Sequence, residues 1–198
     1  MKQNKQKTKV TIVVMVVLIL AVAIGFWTML KGKQAQNEGE KKQHTDEVAV
    51  LLDKDFSSNY PGTPTEVMKM YSRISTCLYS SSVSEEEQEA LIKKMRELFD
   101  AQLLEENTFD DQWKDFQEEY EKFSKAKKMI SSYSVDKNSS VDKKTIDDRR
   151  YAYLCVSYLV QDGSAGAYEK SNEQFVLRED ADGKWKILGW ELLTGDTE

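Results

Sequence analysis

Apolar positions follow three different patterns along this chain, and each predicts a different element. Between Val10 and Leu30 they are nearly continuous, in a run of 21 residues without a charge. At about 1.5 Å per residue such a helix reaches about 31 Å, close to the hydrocarbon thickness of a bilayer. From Asp46 the spacing becomes helical. Val48, Leu51, Leu52 and Phe56 fit a short helix over Asp46–Phe56, and Asn59-Tyr60-Pro61-Gly62 reads as a turn. Thr63-x-x-Glu66 is a capping box with Pro64 at the first helical position. The stripe behind it is Val67, Met70, Tyr71, Ile74, Cys77 and Leu78. Ser84-x-x-Glu87 opens a second helix, buried along Leu91, Met95, Leu98, Phe99 and Leu103. A third runs from about Thr108 to Lys128. Its stripe is Phe109, Trp113, Phe116, Tyr120 and Phe123, and its opposite face is acidic (Asp110, Asp111, Asp115, Glu118, Glu119).

Beyond this point the period falls to two. Met129–Val135, Arg150–Gln161, Tyr168–Arg178 and Lys184–Leu193 read as strands. Asp136–Asp148 reads as a polar loop, Gly163-Ser164-Ala165-Gly166 as a turn and Asp180-Ala181-Asp182-Gly183 as a tight hairpin. In the second strand Ala152, Leu154, Val156, Tyr158 and Val160 should face the helices. The organisation is a basic tail (1–9), a transmembrane helix (10–30), a flexible stalk (31–45) and a soluble α+β domain (46–198). That domain is expected to pack three helices on a curved antiparallel sheet of three to four strands.

Charge divides the chain in the same way. Residues 1–33 hold six Lys and no acid, so a total of −6 leaves −12 on residues 34–198. An acidic body speaks against nucleic acid as a partner, which needs a basic stripe. The short all-basic tail before the apolar run reads as a signal anchor. It places the tail inside a cell membrane and the domain outside, in single-pass form. A cleaved signal peptide is the alternative, since Ala21-Val22-Ala23 has the small-x-small form of a cleavage site.

The chain carries few residues in patterns that mark a known chemistry. The single histidine, His44, falls in the stalk. The glycine-rich, nucleophile-elbow and zinc-binding motifs are missing, so no cofactor and no metal is expected. Ser-x-x-Lys at Ser124/Lys127, Ser134/Lys137 and Ser140/Lys143 lacks the companion motifs of a Ser–Lys nucleophile. Asp180-Ala181-Asp182-Gly183 fails the calcium-loop pattern and reads as a turn. Asn138-Ser139-Ser140 is a sequon within the polar loop. Cys77 and Cys155 could pair outside a cell, with two buried free thiols as the favoured alternative. Tyr71, Tyr158 and Trp190 are the residues expected at the mouth of a pocket between helices and sheet. Glu173 and Glu191 are assigned outward by alternation, so no catalytic residue is named.

The order of helices and meander resembles the cone-shaped fold of the nuclear transport factor two-like (cystatin-like) superfamily. Tyr60-Pro61-Gly62-Thr63-Pro64, Arg96-Glu97-Leu98-Phe99-Asp100 and Trp185-Lys186-Ile187-Leu188-Gly189-Trp190 carry a closer likeness. They are similar to a domain-of-unknown-function family of single-span membrane proteins from Gram-positive Clostridia. That resemblance implies a fold and a location but no catalytic residues. The expected function is a non-enzymatic extracytoplasmic module that binds a protein or small ligand and could form a homo-oligomer. The alternatives are a scaffold subunit of a secretion or conjugation apparatus, or an enzyme with its active site in the cone.

Overall fold

The computed structural model describes residues 47–163 and 166–193. The expected tail, membrane span and stalk, with His44, lie outside the described residues. Among the described residues, no helix is long and apolar enough to cross a membrane.

A short helical segment, 47–52, precedes four helices: α1 (Pro64–Leu78), α2 (Glu85–Arg96), α3 (Ala101–Glu106) and α4 (Phe109–Lys125). Five strands follow: β1 (Lys128–Val135), β2 (Asp142–Ile146), β3 (Arg149–Asp162), β4 (Tyr168–Glu179) and β5 (Trp185–Leu192). The class is α+β, as expected, with more elements than expected. The caps explain the helix starts. Thr63 and Thr108 accept from the backbone N–H three residues on, and Ser84 and Glu87 form a reciprocal capping box. The second predicted helix breaks after Arg96, because Leu98–Asp100 leaves it to dock on the sheet. Asp100 then caps α3 by accepting from Gln102 N–H.

The sheet is antiparallel, in the order β1-β3-β4-β5. The predicted polar loop contains β2, which pairs with the first half of β3 while β1 pairs with the second. All five β2 residues are exposed, so no alternation marks the strand. Asp147 and Asp148 turn it into β3 at φ 49° and 61°, the backbone of a two-residue hairpin. At the next hairpin, the Asp180 carboxylate accepts from the N–H groups of Asp182 and Lys184, so it stabilises the turn.

Alternate residues of β3 from Ala152 to Val160 are buried, as are Ser171, Glu173, Phe175 and Leu177 of β4. The helices cover this face. Helix α1 lies deepest, with Val67, Met68, Tyr71, Ser72 and Ile74 fully enclosed.

The three segments that carry the family likeness meet at one corner. Tyr60 Oη donates to the Trp185 carbonyl at 2.8 Å, and Lys186 Nζ donates to the Glu97 carbonyl at 2.7 Å. Asp100 N–H donates to Ile187 O, and Ile187 N–H donates to Leu98 O, which adds a short parallel bridge to the edge of β5. The Arg178 guanidinium clasps the Asp100 carboxylate through Nε at 3.0 Å and through Nη2. Removing one partner of a buried ion pair strands the other. Asp100→Ala is therefore expected to cost about 3–5 kcal/mol in urea unfolding. Asp100→Ala combined with Arg178→Met is expected to cost clearly less than the sum of the two single changes.

Candidate functional site

A polar seam runs through the interior between α1, α4 and the sheet. It begins with α1, whose enclosure buries Tyr71, Ser72 and Ser75. Ser72 Oγ hydrogen bonds to Tyr158 Oη of β3 at 3.1 Å. The hydroxyls of Tyr71, Ser75 and Ser171, one oxygen of Glu173 and the Trp190 indole N–H have no hydrogen-bond partner among the described residues. Glu173 is 2% exposed. Burial alone pushes its carboxyl up to about 7.

Glu119 of α4 is the second interior acid. Burial drives its pKa up to about 8, the adjacent Tyr79 hydroxyl pulls against that rise, and Glu173 adds to it. Tyr79 Oη and Glu119 Oε1 themselves lack a partner at hydrogen-bond geometry. The predicted α4 stripe explains why this acid was assigned to solvent. The buried side chains are Gln112, Phe116 and Phe123, while Trp113, Glu119 and Tyr120 flank them half-buried. The helix is thus rotated from the purely apolar reading. Two acids and three tyrosines (Tyr71, Tyr79, Tyr158) share this interior, and burial holds all three phenols well above their ordinary pKa.

Beside the seam lies a cleft of about 440 Å³. The end of α1 and the following loop supply Thr76, Tyr79 and Ser80–Ser82. Helix α4 supplies Tyr120, Phe123 and Ser124, and the start of β1 supplies Lys128, Met129 and Ile130, with Lys127 and Gly163 at the rim. Tyr79 is common to cleft and seam. Lys127 sits just past the end of α4 at φ 52°, the left-handed region where glycine is usual. Its carbonyl accepts from Gly163 N–H at 2.9 Å. A Cβ on Gly163 would stand 2.4 Å from that carbonyl oxygen, so only glycine fits there.

The three residues expected at a pocket mouth lie on inward faces. Tyr71 and Tyr158 are fully buried, and the Trp190 ring centroid is 6.1 Å from that of Tyr71. None of them lines the cleft. Glu173, assigned outward from sequence, shares the inward phase of Phe175 and Leu177; Glu191 is exposed. Cys77 and Cys155 are free thiols, the first buried and the second half-buried on the outward phase of β3. Ser124 and Lys127 both line the cleft, yet no hydrogen bond joins their side chains among the described residues. The described residues contain no cluster of acids, histidines or cysteines fit for a metal.

The family described as Domain of unknown function (DUF6715) matches residues 1–190. The chain belongs to this family. Comparison with curated proteins finds no match. Among solved structures, a ketosteroid isomerase-like protein from Erwinia carotovora atroseptica aligns at 16% identity with a TM-score of 0.26. The alignment covers 42% of this chain and 64% of that one, under two thirds of its length. Within this DUF6715 chain, the signals that mark Glu173 and Glu119 are local. Glu173 is two residues before Phe175 in a strand, and Glu119 sits between Phe116 and Phe123 at helical spacing.

Two measurements check this geometry. Unfolded, Glu173 gives up its proton near its ordinary value of 4.5; folded, it holds it to about 7. Between those values the fold carries the extra proton, so stability falls as pH rises through the window and levels off above it. At about 1.4 kcal/mol per pH unit, the gap is worth about 3 kcal/mol. Glu173→Gln is therefore expected to match the wild type at pH 4.5 and to exceed it by about 3 kcal/mol at pH 8 in urea unfolding. Lys127→Gly relieves the left-handed backbone and is expected to stabilise the domain by up to about 1 kcal/mol.

Proposed function

We propose that the chain is a non-enzymatic, membrane-anchored module that holds a small molecule in the Tyr79 cleft on the outer side of a cell membrane. Residues 10–30 would be the single span, with the tail inside and the domain outside. The charge-free run and the all-basic tail support that placement. The nuclear transport factor two-like fold belongs to the same reading, supported by helices that precede an antiparallel meander on one face. The cleft carries the ligand reading. Its volume lies within the range of small-molecule sites, and it joins an aromatic wall to a hydroxyl-rich rim. The interior acids support binding over catalysis, because neither Glu119 nor Glu173 lines the cleft.

A second reading, an enzyme that uses the interior as an acid–base site, is favoured by one observation. Two carboxyl groups there have pKa values raised toward neutrality. It requires access to the seam, and neither acid of the seam lines the cleft.

The test uses the full chain in lipid nanodiscs, purified from its natural host and examined by native mass spectrometry. A retained small molecule is expected, and Ser124→Trp, which fills the cleft, is expected to expel it. Retention unchanged by Ser124→Trp would sink the cleft reading. Loss of a turnover activity in Glu119→Gln would establish the enzyme reading instead. Protease added to intact protoplasts is expected to remove the domain; full protection would overturn the outward orientation.

A further inference from the structure

We propose that the cleft selects an aromatic anion, with a flat ring system lying on Tyr79, Tyr120 and Phe123 and an acidic group set against Lys127. The inference rests on the cleft being a ligand seat and names what it holds.

The lining carries the argument first. Tyr79, Tyr120, Phe123, Met129 and Ile130 supply its apolar and aromatic lining, and four serines, Thr76, two lysines and Gly163 supply the rest. Aromatic walls favour flat partners, through offset or edge contacts.

Charge carries it second. The two charged residues of the lining are both lysines, on a body whose residues 34–198 carry −12. Such a body repels anions in general, so a cationic lining is a local exception to its field. The charges on neighbouring elements are largely committed elsewhere. Lys128 pairs with Glu169 of β4 at 2.8 Å, and Asp162 of β3 is its partner in register. Glu121 and Lys125 of α4 pair with each other, and Glu85 of α2 accepts from Gln117. Lys127 is left as the cation of the rim.

Backbone geometry carries it third. Lys127 occupies a left-handed position that glycine would fill at lower cost, and Gly163 packs directly on its carbonyl. Strain retained at a non-glycine residue beside a cleft points to a use for its side chain. An ammonium against a carboxylate gives a charge-assisted hydrogen bond, about twice as strong as a neutral one.

The test compares naphthoate with naphthamide, its uncharged isostere, on the full chain in nanodiscs by saturation-transfer NMR, with empty nanodiscs as blank. Naphthoate is expected to bind once per chain, at least about tenfold tighter than naphthamide. Lys127→Gly is expected to abolish that preference without lowering the melting midpoint, and Lys127→Arg to keep it. If Ser124→Trp expels both probes but they bind equally, or if Lys127→Gly retains the preference, the aromatic-anion proposal falls while the ligand seat stands. If neither probe binds in a manner sensitive to Ser124→Trp, both fall.

Discussion

Everything in the interior depends on the enclosure of helix α1. A helix at the edge of a domain can turn polar residues to water, but α1 is covered by the sheet on one side and by α2 and the chain before it on the other. Ten of its fifteen residues are buried, and they include Thr65, Ser72 and Ser75. Buried hydroxyls need partners, so the facing strands supply polar groups as well as apolar ones. Thr65 donates to the Asp136 carbonyl at 3.1 Å, and Ser72 meets Tyr158. The inward phase of β4 is correspondingly polar at one end (Ser171, Glu173) and apolar at the other (Phe175, Leu177).

Two solutions to buried charge coexist in the domain. At the β5 corner, the Asp100 carboxylate is paired with the Arg178 guanidinium and also caps α3. In the seam the acids have no such guanidinium, and burial raises their pKa instead. Protonation removes the large cost of an isolated interior charge but creates hydroxyl donors, which need acceptors of their own. The seam therefore loses stability as its acids ionise.

How legible this was depends on whether local chemistry or tertiary context set each feature. Helix starts at Thr63, Ser84 and Thr108 were readable because a cap acts within four residues. The β3 alternation was readable because one face is buried and the other is not. Strand β2 was not readable: it borrows its hydrogen bonds from β3 while every side chain stays in solvent. The break at Glu97–Asp100 was hidden because apolar Leu98 and Phe99 kept helical spacing while their backbone pairs with Ile187. Glu173 and Glu119 were misplaced by the rule that acids face water. That rule fails where a neighbouring apolar phase fixes the direction of the side chain. The cleft was invisible, because it is assembled from stretches 76–82 and 120–130 and from Gly163, each more than 30 residues from the next along the chain.

Tyr79 makes cleft and seam parts of one electrostatic system. Its ring lines the cleft and its hydroxyl lies beside Glu119, whose pKa already responds to Glu173. An anion on the cleft side of Tyr79 would disfavour ionisation of Glu119, and by linkage an ionised Glu119 would weaken that anion by the same factor. A neutral ligand would leave this balance nearly untouched. The interior acids, although they do not line the cleft, would thereby discriminate by charge.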